Sequence, residues 1–146
     1  MLIYDNGRFT MGKVSFQLPN GVGIDTSSDE LSGEGFCLYA PDKRCSILID
    51  FVKSEKNAYQ TICKNFDAAL GYKPIEEIQT FSCGGLSGYK AYFEDDENYH
   101  EEYVLDLVDC EKANLLDIYI LIDKDSYNQI LKDKIVKEIL DSIKTR

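Results

Sequence analysis

The 146-residue chain contains no tryptophan, one histidine, two methionines and three prolines. With His100 as its lone imidazole it offers no H-x-x-x-H or H-E-x-x-H pair for zinc, and G-x-S-x-G is absent too. Positive charge is scarce: 16 Lys and Arg face 26 Asp and Glu, for a formal net charge of −10. Such a chain lacks the basic stripe that displaces counterions from phosphates, so nucleic acid is excluded as a partner and anionic membrane surfaces are disfavoured. Long apolar runs are missing as well. The longest fall far short of the ~20 residues that span a bilayer, so no membrane insertion is expected. The N-terminal MLIYDNGRFTMGKVSFQLP shows no cationic start followed by an apolar stretch of signal-peptide length, so this chain carries no recognisable export signal. Cysteines stand at 37, 45, 63, 83 and 110, without CxxC or CxxxC. An odd count at wide spacing points to free thiols in a reducing compartment, not to a disulfide framework or a thiolate zinc site. A cytoplasmic protein without a cofactor is the expectation.

What is present is ordinary globular chemistry, 44% hydrophobic and 29% charged, in a length that suits one domain over residues 1–146. Ten tyrosines and seven phenylalanines fit a pleated surface and predict a sheet-rich body. Residues 1–12 read as an N-terminal extension or a first strand. Val14, Phe16 and Leu18 then alternate on one face before Pro19-Asn20-Gly21. GFCLYA and CSILIDFV flank PDKR as a hairpin, with Ile47, Ile49 and Phe51 on one face. Ser54 as N-cap predicts a helix through about Leu70, carrying Tyr59, Ile62, Cys63, Phe66, Ala69 and Leu70 at helical spacing and Gly71 just beyond. Four strand-like segments follow, IEEIQTFSC, YKAYFEDD, EEYVLDLVD and LDIYILID, and their short connections call for antiparallel neighbours. A final helix, capped by Asp125 or Ser126, carries Ile130, Leu131, Ile135, Ile139, Leu140 and Ile143. The expected fold class is α+β: a single, largely antiparallel sheet of about six to seven strands packed with two main helices in an α/β/α-type sandwich.

This order of elements resembles the fold shared by PsbP, an extrinsic protein of photosystem II, and the Ran-binding import factors. The likeness rests on F-x-L-P-x-G (Phe16, Leu18, Pro19, Gly21), G-L-S-G (Gly85–Gly88), a strand meander and a C-terminal IL-x-S-I-K (Ile139–Lys144), and it covers residues 13–144. The resemblance implies a PsbP-like antiparallel sheet with helices against it. It implies a binding or adaptor role more than a catalytic one, because known members mostly bind proteins, and one bacterial group resembling the fold consists of chaperones. No functional residue carries over.

Each candidate site has a plain structural role beside its chemical one. The segment TFSCGGLSGYKAYFE has neither a Walker loop nor a dinucleotide fingerprint, and it reads as a turn between strands. Cys83 has no base tied to it by sequence. Residues 94–111 are densely acidic without a lysine or arginine among them, and EDDENYHEE offers hard oxygen ligands plus one imidazole. Glu94, Asp95, Asp96, Glu97, His100 and Glu101 are the weak metal candidates there, set against a solvated hairpin tip that protects sheet edges. Tyr92, Tyr99, Glu102 and Tyr119 are the candidates for contacting a partner, since tyrosine presents a rigid apolar body with a polar tip. Strand alternation is expected to place Tyr92, Val104 and Tyr119 on the face opposite Phe93, Tyr103 and Ile120. The expected function is a non-enzymatic protein-binding module, adaptor or chaperone-like, acting through a sheet face or groove as a monomer or weak dimer. The alternatives are an acidic inhibitor or immunity-type protein that masks a basic partner, and a metal-binding protein at the acidic hairpin.

Overall fold

The computed structural model describes residues 2–19, 21–25, 34–39, 45–108, 110–126 and 129–145. Its elements are β1 (Leu2–Asp5), β2 (Arg8–Met11), β3 (Val14–Gln17), β4 (Gly23–Asp25), β5 (Glu34–Tyr39), β6 (Cys45–Val52), α1 (Ala58–Asn65), β7 (Lys73–Pro74), β8 (Gln79–Cys83), β9 (Leu86–Glu94), β10 (Asn98–Asp106), β11 (Leu115–Asp123), α2 (Gln129–Ser142) and β12 (Lys144–Thr145). They form two sheets: a four-stranded one in the order β1-β2-β3-β12, and an eight-stranded one in the order β4-β5-β6-β11-β10-β9-β7, with β8 also on β9. The expected single sheet of six to seven strands is therefore wrong. Among the described residues no helix is long and apolar enough to cross a membrane.

The physical reason for the extra sheet lies in residues 2–17. Asn6 (φ 51°) and Gly7 (φ 79°) make a left-handed two-residue turn, the hairpin geometry favoured by an Asn-Gly pair. It sets Leu2 opposite Met11 and Asp5 opposite Arg8. β2 and β3 then turn Phe9, Met11, Val14 and Phe16 inward, where the Phe9 ring lies 4.0 Å from Phe36 of the larger sheet and 5.3 Å from Phe16. Residues 2–11 thus hold two strands where an extension or a first strand was expected, and Phe9 and Met11 of the second reach the core. α2 returns beside this sheet: the Gln17 N–H donates to Ser142 Oγ at 2.8 Å, and Ile135, Val136, Ile139 and Ile143 join the same core.

The opposite face of the eight-stranded sheet is covered by α1, whose Ala58 and Ile62, with Phe66 just after it, pack on Ala91, Phe93, Val104 and Leu115. This helix is shorter than its apolar spacing predicts. Asn57, not Ser54, is its N-cap, in a reciprocal capping box with Gln60. Ser54 instead gives its N–H to Asn114 Oδ1 and accepts from the Lys56 N–H, which spends it in a turn. Past Phe66, Asp67 caps a single 3-10 turn, Ala68–Leu70, closed by Gly71 at φ 90°. Tyr59, Cys63, Ala69 and Leu70 consequently face solvent.

The meander β8–β11 is antiparallel throughout, as its short turns demand. Gly84 and Gly85 form the turn, at φ 57° and 86°, while Leu86–Gly88 already belong to β9. The PDKR connection, the loop before β5, Asp109 and the two residues ahead of α2, Tyr127 and Asn128, lie outside the described residues.

Candidate functional site

β10 is buried on both faces, so its alternation sends neighbouring acids in opposite directions: His100 and Glu102 toward α1, Glu101 and Tyr103 toward α2. A cavity lies on each side.

On the α1 side a pocket of about 430 Å3 is lined by Leu48, Asp50, Asn65, Tyr72, His100, Glu102, Asp117, Tyr119 and Leu121. Register builds it. Asp50 of β6 pairs with Asp117 of β11, and Glu102 of β10 pairs with Tyr119, so three carboxylic acids from adjacent strands converge. Glu102 is fully buried, and both of its oxygens accept from the Asn65 amide, at 2.9 and 3.0 Å. Its carboxyl is pushed well above the ordinary range by burial and then by Asp117, with which it is in hydrogen-bonding contact. Burial, followed by the charge of Asp50, pushes Asp117 up to about 6 despite that contact. The Oδ1 atom of Asp117 is sealed from solvent and makes no hydrogen bond.

His100 forms the pocket's end wall. Its Nδ1 meets the Tyr119 hydroxyl at 2.6 Å and its Nε2 meets Asp95 Oδ2 at 2.9 Å. Burial disfavours the Asp95 charge, but hydrogen bonds from His100 and the Glu97 and Asn98 amides outweigh it and hold the carboxyl below its usual value. Burial, with Tyr72 and Glu102 nearby, raises the Tyr119 phenol, which keeps its proton. These partners suit the imidazole tautomer with N–H at Nε2, donating to Asp95, and Nδ1 accepting from Tyr119.

On the α2 side a wider groove of about 700 Å3 runs between α2 and strands β8–β10, with Phe81, Tyr92, Tyr99, Tyr103 and Leu140 among its walls. Its floor is a chain of satisfied polar groups. Lys132 Nζ donates to Glu101 at 3.0 Å, the Tyr103 hydroxyl donates to Glu101 at 2.9 Å, and the Tyr92 and Tyr103 hydroxyls lie 3.2 Å apart. Lys132 and Glu101 are only 10% and 5% exposed, which makes this a buried ion pair. Burial opposes the Lys132 charge, yet Asp133 and Glu101 more than restore it. Burial and then Asp141 push the Cys83 thiol up to about 11, so it is no thiolate nucleophile.

The six residues weighed for a metal are dispersed. Glu94 pairs with Lys124, Asp95 caps its own turn and holds His100, Asp96 and Glu97 face solvent, and His100 and Glu101 sit on opposite faces. Among the described residues no group of three or more His, Cys, Asp and Glu side chains could hold a metal ion. The partner candidates divide: Tyr92 and Tyr99 line the groove, Glu102 and Tyr119 the pocket. The expected grouping of Tyr92 with Val104 and Tyr119 is incorrect, because the register sets Tyr103 opposite Lys90 and hence on the Tyr92 face. Asp50, Asn65, Asp117 and Lys132 carry site chemistry that the sequence reading passed over. A lone acid inside an apolar strand run (ILIDFV, LLDIYI) was the available signal. No protein-family model matches this chain, and no curated protein matches it.

Proposed function

We propose that the protein is a non-enzymatic recognition module that holds a segment of a protein partner in the groove between α2 and strands β8–β10. The observation that carries this reading is the groove itself: some 700 Å3 of open space walled by half-buried aromatic rings over a floor of polar groups that already satisfy one another. Such a surface offers shape and apolar contact without an unengaged acid, base or nucleophile, which suits binding better than turnover. Lys90 stands 5.8 Å from the centroids of both Phe81 and Tyr92, and Lys124 stands 5.1 Å from that of Tyr99. Aromatic faces flanked by cations favour a partner segment that is apolar with acidic flanks.

Ile75 and Ser82 are exposed positions on the rim, so arginine there leaves the fold intact. Affinity capture with the wild-type chain, followed by titration of the purified partner, should show binding weakened about tenfold or more in Ile75→Arg and Ser82→Arg. Equal binding by all three proteins would remove the groove from the proposal.

A further inference from the structure

We propose that the pocket on the α1 face is a second binding site, separate from the groove, and that its ligand is an organic cation whose guanidinium or primary ammonium head sits on Glu102 and Asp117 beside the rings of Tyr72 and Tyr119. Three features converge on that chemistry. First, the pocket gathers carboxyl groups of Asp50, Glu102 and Asp117, while among the described residues no lysine or arginine lines it. The Asn65 amide serves Glu102, but the buried Asp117 Oδ1 accepts nothing, so one acceptor among the pocket's carboxyl groups is left without a donor. Buried acceptors are almost always satisfied, by protein, water or ligand. Second, no three of the described acids and imidazoles are grouped to hold a metal ion. A guanidinium, with five donors spread over a planar fork, or an ammonium with three, can span carboxylates that a single ion cannot join. Third, aromatic rings line the same space, and a π-face attracts an alkylated cation at close range. About 430 Å3 accommodates such a head with a short aliphatic stem.

Without a cation the Glu102 and Asp117 carboxyls are in hydrogen-bonding contact, which needs a proton between them. The incoming cation replaces it: one positive charge enters, one proton leaves to solvent, and the carboxyl pair becomes two carboxylates. Groups facing this pair are Asp50 from β6, His100 from β10 with Asp95 behind it, Tyr119 from β11, Asn65 from α1 and Tyr72 from the segment after it. The carboxylic acids among them all add negative charge as pH rises, so binding tightens toward neutral pH.

The test titrates 15N-labelled protein with butylguanidinium, butylammonium and N-acetyl-arginine amide, and in parallel with magnesium and calcium chloride at matched ionic strength. The expected result is saturable amide shifts at Asn65, Glu102 and Asp117 with the organic cations. Affinity should rise about tenfold between roughly pH 5 and pH 7.5. It should fall about tenfold or more in Asp117→Asn and Glu102→Gln, each verified as folded by its own spectrum. Tighter binding of the capped arginine than of the butyl cations assigns the site to a partner's basic side chain, and the reverse assigns it to a free amine; either upholds the site. No saturable shift below about 10 mM of any organic cation, saturation of these residues by magnesium or calcium, or undiminished binding by Asp117→Asn overturns it. Capture of a partner in the groove is indifferent to these outcomes, so the two readings fail separately.

Discussion

Replacing Asp117 by asparagine should make the protein more stable at neutral pH and leave it unchanged in acid. In the folded chain the Asp117 carboxyl titrates at about 6, against an ordinary value of 3.8, because it is buried and faces Asp50. The sign follows from linkage: between those two values the folded state binds more protons than the unfolded one, so folding weakens as pH rises through the interval. Below it both states are protonated and the site costs nothing; above it the cost is complete. At 1.36 kcal/mol per pH unit the interval is worth about 3 kcal/mol, an upper figure that relaxation around the pocket will reduce. Asparagine has the same shape, never ionises, and brings an N–H that can donate to Glu102. A gain of ~2–3 kcal/mol at about pH 7.5 corresponds to roughly 5–10 °C in Tm for a chain of this length. Thermal and urea unfolding at about pH 7.5 and pH 4 supply the measurement. Equal gains at both pH values, or a loss at neutral pH, would refute the reasoning. A more stable variant that no longer binds cations would also mark the pocket as a place where stability is given up for function.

Other expectations concern the frame around both cavities. Lys132→Met leaves the Glu101 charge buried without its partner and should destabilise by about 3–5 kcal/mol in urea unfolding, with the double variant Lys132→Met/Glu101→Leu recovering most of it. Gly84→Val should be strongly destabilising, by roughly 2 kcal/mol or more: a Cβ there meets the Ile143 carbonyl oxygen at 2.3 Å, and φ is 57°. A denaturation midpoint within error of wild type would disprove that packing. Asn57→Ala removes the capping box and should lower stability by about 1 kcal/mol. With a thiol reagent near neutral pH, exposed Cys63 should react ahead of Cys83, whose thiol is pushed up to about 11; faster labelling of Cys83 would contradict its placement.

How much of this could be read from the residues depends on the range of the interaction. The meander β8–β11 was legible because alternation and short turns are local, and so was the presence of both helices, although Tyr59, Cys63 and Leu70 of the first expected stripe and Ile130 of the second are exposed. The small sheet was missed although its signal was local too: Asn6-Gly7, the strongest short hairpin cue, stands between Leu2–Asp5 and Arg8–Met11, where the reading allowed an extension or a first strand but not two. The end of α1 shows competing local chemistry, since Ser54 and Asn57 are both good caps and only the Asn114 side chain, 60 residues on, decides between them. The pocket was legible only residue by residue, in Glu102 and Tyr119 and in the lone acids of ILIDFV and LLDIYI, and not as an assembly. Asp50, Glu102 and Asp117 are far apart in sequence, and their meeting depends on strand order and on registers that alternation leaves open. Likewise the dense acidity around residue 100 read as a solvated tip, whereas Glu101 and Glu102 are 4% and 0% exposed.

Adjacent in sequence, Glu101 and Glu102 open onto separate cavities, one answered by a lysine and one not. That arrangement bears on how the chain can vary in descent. Point substitutions at either glutamate alter one cavity at a time, so each can drift or be tuned alone. A one-residue insertion or deletion within β10 would instead exchange the faces of every residue beyond it, carrying Glu102 against α2 and Glu101 under α1, and abolish both cavities in one event. Length changes compatible with both sites are thereby confined to the turns that flank the strand, around Asp95–Glu97 and between Leu107 and Asn114.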